Sequence, residues 1–332
     1  MFKYVIKRLL LAVLILFCVS FIIYVLVRCI PNDYVDQKFA SQLAQGTIEQ
    51  ADIDNMKALY GLDDSSFKGI LKGYFGWLGN ALKGDLGLSF KYGLPVAEVI
   101  GQYMGISFMI AFVSLILEYI IAIPLGITAA VNQYGKVDYT VTVFAMIGIS
   151  LPTFFLASVL IKFFAVNLGW FPIGGLVSAD MATDATSWQV FWDKAWHLFL
   201  PILTLTILSI GGLMRHTRTN MLEVLNADYI RTARAKGLSE KSVVYKHAFK
   251  NSMIPLVTML AGVLPGLFGG AMITETVFSI PGIGSMAYAA LKEGDVPFVM
   301  GYNVFVAGLA IVGTLLADLA YVLVDPRVKI TK

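Results

Sequence analysis

Charge is what this sequence has least of. Asp, Glu, Lys and Arg make up 14% of its 332 residues, against about a quarter in soluble globular proteins. Hydrophobic side chains make up 58%, so a water-soluble globule would have too few charges to face solvent. A disordered chain is excluded by the same figures, since disorder goes with low hydrophobicity and high net charge. Cysteine is nearly absent. Cys18 and Cys29 are eleven positions apart in or beside one apolar run, about 16 Å of helical rise and beyond disulfide reach. Three scattered histidines make no ligand cluster, so no metal site is expected. The net charge of +3 is too small to suggest nucleic-acid binding. What remains is an all-α polytopic membrane protein.

Six apolar runs are long enough to be spans: 9–27, 106–131, 139–161, 198–214, 255–280 and 298–324. A spanning helix takes about 20 residues, and these runs are too continuous for barrel strands. The first resembles a secretory signal, with Lys7 and Arg8 before it, but no small-x-small cleavage site follows. It is read as a retained anchor. Orientation follows from Lys and Arg. A cytoplasmic N-terminus puts Lys3, Lys7, Arg8, Lys136, the basic 215–254 loop and Arg327, Lys329 and Lys332 on one side, most of the chain's cations. Both termini are then cytoplasmic. The expected division is an anchor (1–31), an extracytoplasmic helical subdomain (32–100), a five-helix core (101–325) with a cytoplasmic loop at 215–254, and a tail (326–332).

In the outer segment Phe67, Ile70, Leu71, Tyr74 and Leu78 follow helical spacing, with Asp64, Ser65 or Ser66 as caps. The expected result is a small helical subdomain; the alternative is an amphipathic helix lying on lipid. The 165–197 loop carries Trp170, Trp188, Trp192 and Trp196, the usual signature of a membrane interface.

The 226–255 stretch is the most informative. Asp228 is read as an N-cap, residues 229–236 as a short helix, and Gly237 as the left-handed residue after its end. Ser239 then caps a second helix running to about residue 251, with Leu238 and Val243 placed as a hydrophobic staple. Tyr229, Ala233 and Ala235 leave a surface that another protein could approach closely. A solvated basic loop obeying the charge rule, or an anionic-lipid site, fits the same residues.

Arg231-Thr-Ala-Arg-Ala-Lys-Gly237, followed by His247-Ala248 and Ile254-Pro255, resembles the cytoplasmic loop of ABC-importer permeases that move peptides. The general form of that loop has Glu-Ala-Ala, three residues, then Gly; here Arg231-Thr232 replaces the Glu-Ala pair, as in the peptide branch. Tyr60-Gly-Leu-Asp63, Gly84-Asp-Leu-Gly-Leu-Ser-Phe90, Leu168-Gly-Trp-Phe-Pro172, Glu275-Thr-Val-Phe-Ser-Ile-Pro-Gly-Ile-Gly284 and Val324-Asp-Pro-Arg327 extend the resemblance over nearly the whole chain. It is similar to the first permease subunit of oligopeptide/dipeptide importers; nickel and some sugar-oligomer importers share the pattern.

The resemblance implies a type I importer permease fold of six spans in a bacterial cytoplasmic membrane. It implies a second homologous permease, two ATP-binding subunits docked inside and an external substrate-binding protein. In that family the short helix is the coupling helix, so Arg231, Thr232, Ala233, Ala235, Lys236, Gly237 and Leu238 are expected to form or flank the ATPase-docking surface. ATP and Mg would be bound by the partners. This chain is expected to carry neither cofactor nor catalysis: Gly135-Lys136 lacks the spaced glycine and the following Ser or Thr of a P-loop.

Within the spans, Gly262, Gly266 and Gly270 recur every four residues and are expected to share one face, either lining a moving interface or in ordinary close packing. Intramembrane acids usually face the bundle or a wet cavity. Of Glu118 and Glu275, one is expected to face the translocation path, while Asp318 is assigned a structural hydrogen bond. The competing classes are a secondary transporter or channel, for which inverted repeats or half-helix signals are wanting, and an intramembrane enzyme, for which no paired acids or His-Glu-x-x-His occur.

Overall fold

The computed structural model describes residues 2–29, 43–59, 64, 66–182, 184–259 and 263–324. Helices dominate them; the only extended pairing among the described residues is one isolated bridge, Leu88 to Pro95. We number the helices in chain order. Helix α1 is Phe2–Arg28, α2 Gln50–Leu59 and α3 Phe67–Ala81. The long helices are α4, Val96–Val131, and α7, Ser187–Leu225. Between them lie α5, Lys136–Ser150, and α6, Thr153–Leu160 continuing as a π-helical stretch, Ile161–Asn167. Helix α8 is Asp228–Ala235. Helix α9 runs through Glu240–Ser242, a π-helical Val243–Ala248 and Phe249–Thr258. Short helices α10 (Val263–Phe268), α11 (Met272–Val277) and α12 (Ile283–Glu293) precede α13, Val296–Val324.

By length and apolarity α1, α4, α7 and α13 can each cross a membrane, and α5 with α6 form a pair bent by 103°. Two of the six expected spans therefore differ. The 139–161 run breaks because Pro152 lacks an N–H and forces Leu151 out of the helical region, to φ −81° and ψ 130°. The 255–280 run is not one rod. Among the described residues it divides into the end of α9, then α10 and α11, with Gly270 at φ +82° between the last two. Hydropathy registers a run's length but not such a turn.

Helix α7 starts with a reciprocal cap: Thr186 N and Oγ1 donate to Gln189 Oε1 and Gln189 N donates back to Thr186 Oγ1. It then packs along α4 and α5 at glycines. A Cβ on Gly126 would lie 2.7 Å from Met214 O and 2.7 Å from Thr217 Cβ. One on Gly148 would lie 2.9 Å from Ile207 O, and one on Gly211 would collide with Ala145 O. These three glycines set the helix spacing. They sit on three different helices, so no periodicity announces them. Ala122, Ala129, Ala145, Leu213, Met214 and Leu256 fill the layer around them.

At one end of α7, Asp138 and Arg218 clamp α5 to α7. Arg218 Nε and Nη2 each donate to the Asp138 carboxylate at 2.7 Å, a bidentate pair. Asp138, 3% exposed, also accepts from Tyr134 N at 2.9 Å. At the opposite end buried Asp295 accepts from Ser89 Oγ (2.5 Å), Lys91 N (3.0 Å) and Phe298 N (3.1 Å). That clasps the Ser89–Lys91 turn onto the start of α13. Lys91 also pairs with Glu293, and Tyr92 Oη donates to Met286 O at 2.8 Å. Burial, followed by the neighbouring Asp295 and Glu293, raises the Tyr92 phenol well above its usual range.

Candidate functional site

Helix α8 hangs below the α4–α7 pair on a short connection, Asn226 and Ala227. Its sequence alternates in the helical sense between an inner and an outer side. Ile230 (0% exposed) and Ala233 (8%) face inward, in one cluster with Ile127 and Ala130 of α4, Met221 of α7, and Val243, Val244 and Ala248 of α9. Arg231, Thr232, Ala235 and Lys236 face outward and are exposed, as are Tyr229, Leu238 and Tyr245. The structure therefore divides the expected set. Arg231, Thr232, Ala235, Lys236, Gly237 and Leu238 form one presented row, whereas Ala233 is the seat on which that row rests.

Two local expectations change. The capping position is Ala227, extended and without a side-chain bond, and Asp228 is the first helical residue. There its carboxylate still complements the helix dipole. The second helix does not stop near residue 251 but continues as α9 to Thr258. Ser239 caps it as expected, Oγ accepting from Ser242 N at 3.4 Å. Of the staple pair, Val243 is fully buried and Leu238 is 41% exposed.

The turn itself is a Schellman motif. Gly237 N donates to Arg234 O at 2.9 Å and Leu238 N to Ala233 O at 3.4 Å, with Gly237 at φ +75°. Sequence reasoning missed what locks it. Arg234 Nη2 and Nε reach across the turn to Glu240 Oε1 (2.6 Å) and Oε2 (3.1 Å). The Arg234 bond holds the Glu240 carboxyl below its usual range, and the Glu240 bond raises the guanidinium further. The only sequence signal was opposite charge on either side of a glycine, six positions apart, a spacing that no single helix rewards.

The second candidate region joins α4, α11 and α12. Glu275, fully buried, accepts from Ser107 Oγ (2.7 Å), Ala271 N (2.9 Å) and Ser285 N (2.8 Å). Ser107 Oγ in turn accepts from Ile283 N at 2.8 Å. A Cβ on Gly284 would lie 2.9 Å from Glu275 Oε2, and one on Gly270 3.1 Å from Oε1. Among the described residues Glu275 is thus enclosed at a helix interface. Glu118 sits partly buried in α4, with no hydrogen bond among the described residues. Of the expected glycine face, Gly266 lies on α10 in open space and Gly270 lies outside a helix against Gly284, so these two share no helix face; Gly262 falls outside the described residues. So does the Asp318 side chain.

Residues 122–330 match the family described as binding-protein-dependent transport system inner membrane component. The chain is 37% identical over 330 residues to the oligopeptide transport system permease protein AppB of Bacillus subtilis (strain 168), covering 99% of this chain and 100% of that one. It is 33% identical to the dipeptide transport system permease protein DppB of the same organism, covering 100% and 99%. With the oligopeptide transport system permease protein OppB of Haemophilus influenzae it shares 32%, covering 99% and 100%. Its backbone superposes on a chain of the inward-facing MetNI methionine ABC transporter with a TM-score of 0.55 at 21% identity, covering 69% of this chain and 97% of that one.

Proposed function

This chain belongs to the binding-protein-dependent transport system inner membrane component family, and we propose that it is one of two homologous permease subunits that together form the pore of an ATP-driven peptide importer. As a multi-pass permease with the type I importer fold, it carries substrate across the membrane and leaves chemistry to other subunits. Two ATP-binding proteins hold ATP and Mg, one docking on the α8 row and the other on the partner permease, and an external binding protein delivers the peptide. Both termini lie in the cytoplasm, on the side of the basic 215–254 loop.

One observation carries this reading: α8 is seated by Ile230 and Ala233 but turns a complete outer row to the surface, ended by a turn of fixed geometry. A loop that merely obeyed the charge rule would need neither the buried seat nor the Schellman turn. Force applied to that row would pass through the seat into α4, α7 and α9. Closure of the ATP-binding pair draws two such knuckles together, and the spans rock from inward-open to outward-open.

The test is reconstitution of the full complex in liposomes. Peptide accumulates only with the binding protein outside and ATP inside, and an Ala235→Trp knuckle loses both ATPase co-purification and uptake. Uptake driven by an ion gradient without ATP would assign the chain to secondary transport. Nickel or sugar-oligomer accumulation in place of peptide would keep the class and change the cargo.

A further inference from the structure

We propose that α3 is an interfacial helix whose apolar flank is sunk in the lipid leaflet at the C-terminal end of α1, rather than part of a subdomain standing in water. The inference rests on α1 being a span and not on the identity of the cargo.

The first argument is depth. The Tyr74 ring lies 5.1 Å from the Phe21 ring and 5.7 Å from those of Phe17 and Tyr24. Its hydroxyl meets Ser20 Oγ at 2.8 Å and donates to Phe17 O at 3.2 Å. The apolar run of α1 ends at Val27, six residues beyond Phe21, or about 9 Å at 1.5 Å per residue. Helices that lie in a membrane interface bury their apolar face about 5–10 Å below the headgroup boundary. The Tyr74 ring reaches that level at Phe21, and its hydroxyl, bonded to Phe17 O ten residues before Val27, goes deeper, to about 15 Å along α1. The start of α3 is held at the surface, where the Arg28 guanidinium donates to Asp64 O at 2.9 Å and Ser66 Oγ caps Gly69 N.

The second argument is the order of side chains around the helix. At 3.6 residues per turn, Ile70, Tyr74 and Trp77 form the side packed on α1 and the start of α13. Next around the helix come Phe67, Leu71 and Phe75, of which Phe67 is 68% and Phe75 55% exposed. Beyond them lie Lys68 and Lys72, with Lys83 just past the helix end, all exposed. Gly76 and Asn80 complete the circle. This sequence of protein contact, apolar flank, cationic rim and polar back is the cross-section of a helix lying in a leaflet. The lysine stems cross the apolar zone, and their ammonium groups reach lipid phosphates.

The third argument is continuity. The Phe75 ring lies 6.5 Å from Phe17, and Phe17 belongs to the exposed apolar surface of α1 with Leu10, Leu14, Ile22 and Leu26. A lipid surface that coats α1 therefore runs without interruption onto the Phe75 flank.

The experiment uses the assembled complex in liposomes of zwitterionic and anionic phospholipid. Cys18→Ser and Cys29→Ser remove the native thiols, and single cysteines are introduced by Phe75→Cys, Leu82→Cys or Asn80→Cys and spin-labelled. Collision rates with oxygen, which partitions into lipid, are compared with those of a water-soluble nickel chelate. At Phe75 and Leu82 the oxygen-to-nickel ratio should exceed that at Asn80 several-fold. Equal ratios at the three sites would place α3 in water. Shielding of Phe75 and Leu82 from both reagents would mean a protein partner covers the flank. Either result overturns the proposal. Leu82 lies beyond the last helical residue, so its label reports even if Phe75→Cys loosens α3.

Discussion

Replacing Gly237 with alanine isolates the backbone geometry of the turn between α8 and α9. A Cβ at this position meets nothing within 4 Å, so no clash is introduced, and both turn hydrogen bonds remain available. The only cost is the left-handed backbone, φ +75°, which disfavours an L-residue by about 1–2 kcal/mol. If the presented row must keep its angle to dock, the strain appears as weaker binding of the ATP-hydrolysing partner. One to two kcal/mol corresponds to roughly a 5–30-fold loss of affinity. Asparagine tolerates the left-handed region, so Gly237→Asn should recover most of that loss. Gly237→Pro cannot adopt the angle and also removes the bond to Arg234 O, so it should abolish coupling. The assay is a titration of purified permease with its ATPase, with ATP-driven uptake alongside and membrane content as the control. If alanine binds as tightly as glycine while proline does not, the glycine is not there for its conformation and the reasoning fails.

Other expectations follow from the same geometry. Glu240, held below its usual range by Arg234, supports the α8–α9 angle above the unfolded carboxylate pKa; that support is lost as pH falls through the depressed folded value. ATPase affinity should therefore weaken in acid, and Glu240→Gln should flatten the profile. Glu275→Ala leaves three donors without their acceptor and should cost about 3–5 kcal/mol, read as a fall in thermal midpoint of the purified complex, with Glu275→Gln milder. Gly211→Ala meets backbone on α5 and should destabilise by about 1–3 kcal/mol. Its neighbour Gly212→Ala, with nothing within 4 Å, should change stability by less than about 0.5 kcal/mol. A Cβ on Gly266 meets nothing within 4 Å in this chain, so Gly266→Leu should leave the chain's own fold intact. Normal insertion with lost uptake would place a partner subunit against α10.

Much of this was written in local sequence. Apolar length alone gave α1, α4, α7 and α13, because a span is a one-dimensional property. Ser66 and the spacing of Ile70 and Tyr74 gave α3, and Gly237 and Ser239 gave the knuckle, because caps and turns act over a few residues. The bonds that hold the site do not act so. Asp138 finds Arg218 eighty positions away and Ser107 finds Glu275 across 168; each residue looks ordinary in its own helix. The 255–280 run misled for the converse reason. Its hydropathy is uninterrupted, yet Gly270 turns the chain where a glycine repeat suggested a straight face. Ala233 misled within the knuckle itself, because a small residue can serve either an approaching partner or a buried seat, and only the neighbours decide.

Helix α7 spans 39 residues, about 58 Å at 1.5 Å per residue, and α8 follows it after two residues. A beam of that size is a lever arm: tilting it by roughly 10° about its midpoint carries each tip through about 5 Å. About midway along it, Ala145 and Ile207 lie against bare backbone at Gly211 and Gly148, the close contact about which such a tilt would turn. If a partner subunit pushes on the knuckle, the stroke would reappear, reversed in direction, beside Thr186 and the tryptophan-rich loop at the other end of the helix.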